Sequence, residues 1–122
     1  MAHVNYRLGP FGYWFDDSFE DHTNFGYLDQ RMALKFVHEN IEIFGGDQDQ
    51  ITIIGCSAGG QSVTYHTTNP LSHKYFTRSI ILSAPTGIPY LSIQVALEKY
   101  SAVAAQLECC NGEYDINIYE TY

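Results

Sequence analysis

Basic residues are scarce in this chain: six Lys and Arg stand against 14 Asp and Glu, for a formal net charge of −8. A nucleic-acid partner needs a basic face to neutralise phosphates, so none is expected. Binding to an anionic membrane through a polybasic patch is disfavoured for the same reason. The acidity reads as a solubilising surface, and Asp16, Asp17, Glu20 and Asp21 as a solvated loop. Long apolar runs are also missing, and none approaches the roughly 20 residues that span a bilayer. The start, Met1-Ala2-His3, has neither a charged n-region nor an apolar h-region, so no signal peptide is read there and localisation stays open. The three cysteines, Cys56, Cys109 and Cys110, include no C-x-x-C pair, and the five histidines are scattered at 3, 22, 38, 66 and 73. Neither a zinc site nor any other cofactor is expected from such spacing. Core-forming material is not lacking, because 45% hydrophobic content is ordinary for a globular chain and argues against disorder.

Periodicity organises the chain into alternating strands and helices. Residues 4–8 read as a short strand ended by the turn Gly9-Pro10, and residues 11–24, without a clean period, as a loop. Leu28, Met32, Ala33, Phe36, Val37, Ile41 and Phe44 recur at spacings of three and four, which predicts one helical face ended by Gly45-Gly46. Ile51-Thr52-Ile53-Ile54 predicts a strand covered on both faces. A helix from Ser57 to about His66, a strand over 80–83 and a helix carrying Ile93, Ala96, Leu97, Tyr100, Val103, Ala104 and Leu107 complete the order. Such alternation implies parallel strands joined by right-handed crossovers, an α/β arrangement with helices on both faces. The three predicted strands, 4–8, 51–54 and 80–83, should therefore run parallel. They make a slice of a doubly wound sheet with apolar faces left to cover.

The most informative stretch is Gly55-Cys56-Ser57-Ala58-Gly59, directly after the β-branched run. G-x-S-x-G after a strand is the pattern of a nucleophile elbow. The serine sits at the apex of a strand-to-helix turn, in a strained backbone conformation that exposes its hydroxyl. Gly55 and Gly59 flank it where a Cβ is expected to collide with the adjoining segment. The amide of Ala58, at the start of the helix, would point at an oxyanion forming on a substrate attacked by Ser57.

The longer segment Phe44-Gly45-Gly46-Asp47-Gln48-Asp49-Gln50-Ile51-Thr52-Ile53-Ile54-Gly55-Cys56-Ser57-Ala58-Gly59 resembles the serine signature of the type-B carboxylesterase/cholinesterase family of α/β-hydrolases. So do Val4-Asn5-Tyr6-Arg7-Leu8-Gly9-Pro10-Phe11-Gly12, Asn24-Phe25-Gly26-Tyr27-Leu28-Asp29-Gln30-Arg31, and Phe76 to Pro85 with Ser79-Ile80-Ile81-Leu82-Ser83. The likeness covers about residues 3 to 90 in one order. It implies a partial α/β-hydrolase domain over 1–122, with Ser57 as the nucleophile of a serine esterase and a small-molecule ester as substrate. Family chains run to several hundred residues, so Met1 is not expected to be the natural start of a complete hydrolase. The resemblance further implies that the triad acid and histidine lie beyond Tyr122, and that the glycine-rich oxyanion loop lies before residue 1. No His-Gly-Gly-Gly run occurs here. It also suggests a disulfide from Cys109 or Cys110 to a downstream partner, with free thiols as the alternative.

A serine hydroxyl needs a base to take its proton, usually a histidine oriented by a carboxylate. His66 would sit more than two helical turns past Ser57, roughly 13 Å along the axis, so a solvated or helix-capping role is expected. His73, in a Pro-containing loop, and His3 and His38, before the motif, receive the same reading. Cys56 departs from the family pattern, which usually has an acidic residue there, and reads as a buried, inert thiol rather than a nucleophile. Asn24, Asp29 and Arg7 match family positions and read as scaffold, with Asp29 meeting the dipole at a helix start. Ser83 is read as a structural hydrogen-bonding residue. Three readings of function stand open. The first is ester hydrolysis by the full-length parent. The others are a neuroligin-type adhesion domain with a protein partner and no catalysis, and a truncated product without activity.

Overall fold

The computed structural model describes residues 1–15, 23–85, 87 and 90–108. Cys109, Cys110 and the acidic cluster Asp16, Asp17, Glu20 and Asp21 lie outside those residues. In chain order the elements are helix α1 (Gly9–Tyr13), helix α2 (Phe25–Asn40), strand β1 (Thr52–Cys56), helix α3 (Ala58–Thr68), strand β2 (Arg78–Leu82) and helix α4 (Ile93–Gln106). Short 3-10 turns occupy Ile41–Phe44, Gln48–Gln50 and His73–Tyr75.

The centre is a parallel β1–α3–β2 crossover unit. β1 and β2 pair in parallel from Thr52 opposite Arg78 to Cys56 opposite Leu82. Before the ladder starts, the Thr77 N–H donates to the Ile51 carbonyl at 2.9 Å, so the two strands are already in register. α3 packs against both. The architecture is α/β with a small parallel sheet, as the alternation of elements implies.

Residues 4–8 do not form the expected third strand. Helix α1 begins at Gly9, and the Arg7 N–H donates to the Asp29 carboxylate rather than to a neighbouring strand. The sheet therefore has two strands among the described residues, and one edge of β1 carries no ladder partner. The predicted cover over β1 is accordingly one-sided: Ile53 is 9% exposed and Ile54 57%.

α2 starts at Phe25, three residues earlier than the apolar spacing indicated. Asn24, in the left-handed region at φ 59°, caps it, and its carbonyl accepts from Tyr27 and Leu28. The last predicted turn tightens to 3-10 geometry over Ile41–Phe44. Gly45 then stops it at φ 78°, with Gly45 and Gly46 N–H donating to Glu42 and Ile41 carbonyls. That is the glycine termination expected of Gly45-Gly46. The predicted face of α2 is covered in part, with Leu28, Ala33, Val37 and Ile41 half-buried. Gly26 and Gln30 are its buried positions, while Met32 and Phe36 are exposed, as is Phe44 beyond the helix. Gln30 bonds to Ser62 and His66 on α3.

α4 begins where its apolar spacing placed it, with the Ser92 hydroxyl accepting the Val95 N–H at 3.4 Å. Ala104 is its buried position, and Tyr100 packs on Trp14 with ring centroids 4.9 Å apart. The apolar core is thin. Ile53, Val63, Tyr75 and Ala104 are the buried apolar residues among those described. Ile80, Ile81 and Leu82 on β2 all stay exposed.

A chain with this much uncovered apolar surface should associate. The isolated 122-residue polypeptide is expected to bind an apolar dye such as anilinonaphthalene sulfonate strongly. It should also elute above monomer size in gel filtration. A dye-silent monomer with a sharp cooperative thermal transition would contradict the exposure described.

Candidate active site

Ser57 stands between the last residue of β1 and the first of α3, with φ 54° and ψ −120°. A non-glycine residue there costs on the order of 1–3 kcal/mol and persists only where neighbours over-determine it. They do so on both sides. The Ser57 N–H donates to the Leu82 carbonyl at the end of β2 (2.9 Å), and its own carbonyl accepts from Gln61 N–H (3.0 Å). The residue is exposed at the carboxyl end of the parallel pair. Ala58 opens α3, so its N–H belongs to the first helical turn, which lacks intrahelical acceptors.

The glycines divide the steric work differently from the expectation. A Cβ on Gly55 would overlap the Gly59 carbonyl and lie 2.8 Å from the Gly60 nitrogen. A Cβ on Gly59 would meet nothing within 4 Å. The position that must stay small after the serine is Gly60, where a Cβ would sit 2.9 Å from the Leu82 carbonyl and 3.1 Å from Ala84 Cβ. Gly59 therefore contributes its backbone to the approach, and Gly60 lets α3 lie close to the end of β2. The adjacent pair Gly59-Gly60 was the signal for this.

Cys56 is exposed, not buried, and is a free cysteine. It lines a cleft of about 660 Å³ beside β1 that also touches Met1, His3, Tyr6 and Ile54. The cleft is bounded by β1, by α2 and α3, and by the N-terminal segment that was expected to be a strand, and Gln30, Ser62 and His66 also line it. Ser83 follows β2 with φ 47°, a second strained residue at the same end of the sheet.

Among the described residues, no histidine bonds the Ser57 hydroxyl. His73 Nε2 donates to the Thr67 carbonyl at 2.9 Å, which makes it a cap for the end of α3. His38 packs edge-on against Tyr75, with its Nδ1 buried and unpartnered. His66 overturns the expectation of a solvated or capping residue. It is 3% exposed, with Nε2 2.9 Å from Gln30 Oε1 and Nδ1 2.9 Å from Ser72 Oγ. Gln30 and Ser72 are buried too. Tyr27 stacks on Tyr65 at 4.1 Å, and both rings stand near perpendicular to the imidazole. Desolvation, helped by the charge of Arg31, pushes His66 down to about 4. Gln30, Ser62 and Ser72 were not singled out from sequence, because a lone polar residue on a helix or in a loop carries no spacing signal.

Arg7 and Asp29 form a two-pronged pair, Nε to Oδ2 at 2.8 Å and Nη2 to Oδ1 at 2.7 Å, with the Arg7 N–H adding a third bond. Their hydrogen bonds hold the Asp29 carboxyl below its ordinary range and the guanidinium above its own. Arg7 also lies over the Phe25 ring, 5.0 Å from its centroid. The scaffold role expected of both residues is what the contacts show. The reason differs, because Asp29 sits in the second turn of α2 and serves Arg7 rather than the helix dipole.

A parallel β–α–β unit with a strained serine at its strand-to-helix junction defines the α/β class in which nucleophile elbows occur. Residues 1–121 match the family described as "Carboxylesterase family", and the chain belongs to that family. It is 42% identical over 106 residues to venom carboxylesterase-6 of Apis mellifera, covering 87% of this chain and 19% of the relative. It is 37% identical over 120 residues to cholinesterase 1 of Branchiostoma lanceolatum (97% and 34%). With the juvenile hormone esterase of Tribolium castaneum it shares 54% over 82 residues (66% and 14%). The chain thus spans between about a seventh and a third of the length of these relatives.

The buried imidazole makes stability depend on pH with a definite sign. A free histidine charges near 6.5, whereas His66 stays neutral in the folded state down to about 4. Between those values the unfolded chain binds more protons, so stability falls as pH drops through that window. In the full-length protein, His66→Gln should flatten the pH dependence of the urea midpoint between about 6.5 and 4. Equal slopes in the variant and the natural protein would contradict a buried neutral imidazole.

Proposed function

We propose that the protein containing this chain hydrolyses carboxylic esters, with Ser57 as the nucleophile. The observation that carries the reading is the backbone of Ser57, strained at φ 54° and exposed at the carboxyl end of β1. Ser57 Oγ attacks the ester carbonyl, and the Ala58 N–H donates to the oxyanion as it forms. Collapse of the tetrahedral species expels the alcohol and leaves an acyl-enzyme, which water then cleaves. The base that takes the Ser57 proton, its orienting carboxylate and the other oxyanion donors come from segments outside these 122 residues. His66 and His73, the histidines after the motif, are committed to other partners, which supports that assignment. Esterase names among the relatives support the reaction class, and nothing in the fold favours the adhesion alternative.

A fluorophosphonate probe applied to the full-length protein should label Ser57. Ser57→Ala should abolish labelling and lower kcat by about four or more powers of ten. Cys56→Ser should leave labelling largely intact. Labelling that survives Ser57→Ala but vanishes in Cys56→Ser would reverse the assignment. The isolated 122-residue chain is expected to show negligible hydrolysis of an aryl ester, for want of a base. Turnover lost on Ser57→Ala in that short chain would show that the base lies within it.

A further inference from the structure

A single buried polar chain reaches the first turn of α3 from the side. The Ser62 hydroxyl donates to the Ala58 carbonyl at 3.1 Å and accepts from Gln30 Nε2 at 3.1 Å. Gln30 Oε1 faces His66 Nε2, and His66 Nδ1 faces Ser72 Oγ, each at 2.9 Å. With the Gln30 amide nitrogen on Ser62, the links take one consistent sense. The Ser62 proton is spent on Ala58, so Ser62 can only accept from the Gln30 amide nitrogen. Gln30 then presents its oxygen to His66, which must carry its proton on Nε2. The bare Nδ1 accepts from the Ser72 hydroxyl. One hydrogen-bonded chain therefore runs from Ser72 through His66, Gln30 and Ser62 to Ala58.

The end point of that chain matters because of what else is pinned there. Gln61 N–H holds the Ser57 carbonyl, which belongs to the same peptide unit as the Ala58 N–H. Ser62 holds the carbonyl of the next peptide unit. Both peptide units that flank the Ala58 Cα are thereby held, the one carrying its N–H by Gln61 and the one carrying its carbonyl by Ser62. A serine bonding back to the carbonyl four residues earlier is not needed to form a helix, and it slightly disfavours one. Here its hydroxyl is held by a buried side chain from a different helix. A satisfied network with a buried middle rigidifies what it touches.

Resting on the esterase reading above, we propose that Gln30 is a positioning residue for the Ala58 amide, acting through the Ser62 hydroxyl. His66 and Ser72 fix the orientation of Gln30 itself. The effect is on the aim of an oxyanion donor, where misplacement is costly because the donor stabilises charge that develops only in the transition state.

The test uses the full-length protein with Ser62→Ala, Ser62→Thr and Gln30→Met. Active sites are counted by fluorophosphonate titration, so turnover is expressed per competent site. Ser62→Ala and Gln30→Met should each lower kcat per site about tenfold while KM changes by less than about twofold. Ser62→Thr, which keeps the hydroxyl, should retain most activity. Affinity for a trifluoromethyl ketone, which places an oxyanion beside Ala58, should fall by the same factor as kcat/KM. A merely structural role would instead reduce the number of titratable sites and leave turnover per site unchanged, and that result would overturn the proposal. If Gln30→Met does not fold, Ser62→Ala decides alone, because Ser62 is half-buried and alanine suits a helix. Failure of the esterase reading shows separately, as an unlabelled Ser57 in the natural protein, and would remove the proposal with it.

Discussion

The elbow depends on a backbone contact that no side chain could share. Gly55 approaches the Gly59 carbonyl so closely that any Cβ would occupy the same space. That approach is what lets β1 reverse into α3 within one residue, with Ser57 left at the apex. The strain at Ser57 is then held from outside the turn, by the Leu82 carbonyl at the end of β2 and by Gln61 within α3. Gly60 completes the arrangement by letting α3 rest against that same Leu82 carbonyl. The reactive geometry is thus a property of the crossover unit, because both strands and the helix supply part of the restraint.

Around this unit the apolar core is small, and polar contacts carry much of the orientation. Gln30 links α2 to α3 through Ser62 and His66, while Met32 and Phe36 stay exposed. Arg7 ties the N-terminal segment to α2 through Asp29 with three hydrogen bonds. Aromatic rings fill the space between, with Tyr27 stacked on Tyr65 and set edge-on to both Tyr13 and His66. Hydrophobic burial is non-directional, whereas buried hydrogen bonds demand one partner in one geometry. A small unit that must hold one serine in a strained conformation gains precision from the second kind of contact.

His66 illustrates what sequence reading could and could not reach. Its distance from Ser57 along α3 already separated it from the nucleophile, and the structure bears that out. Its burial was not visible, because its partners Gln30 and Ser72 lie on other segments at unrelated positions. Cys56 shows the same limit in the opposite direction. The position before a nucleophile reads as buried, yet residues 4–8 leave one side of β1 unladdered and the thiol opens onto a cleft.

Local chemistry by itself determined a good deal of this protein. The β-branched run, the helical spacings, the Gly45-Gly46 stop and the G-x-S-x-G motif each act within a few residues, so they placed β1, α2, α3 and α4 and identified the serine at the apex. Strand pairing, helix roll and the burial of single polar side chains depend instead on distant segments meeting in space. The tertiary structure alone therefore decided that residues 4–8 form no strand. It also decided that Gly60 rather than Gly59 is the crowded position, and that a histidine without a sequence signal sits buried at the middle of a hydrogen-bond chain. Those outcomes follow from excluded volume and from donors finding acceptors, and neither has a period that can be read along the chain.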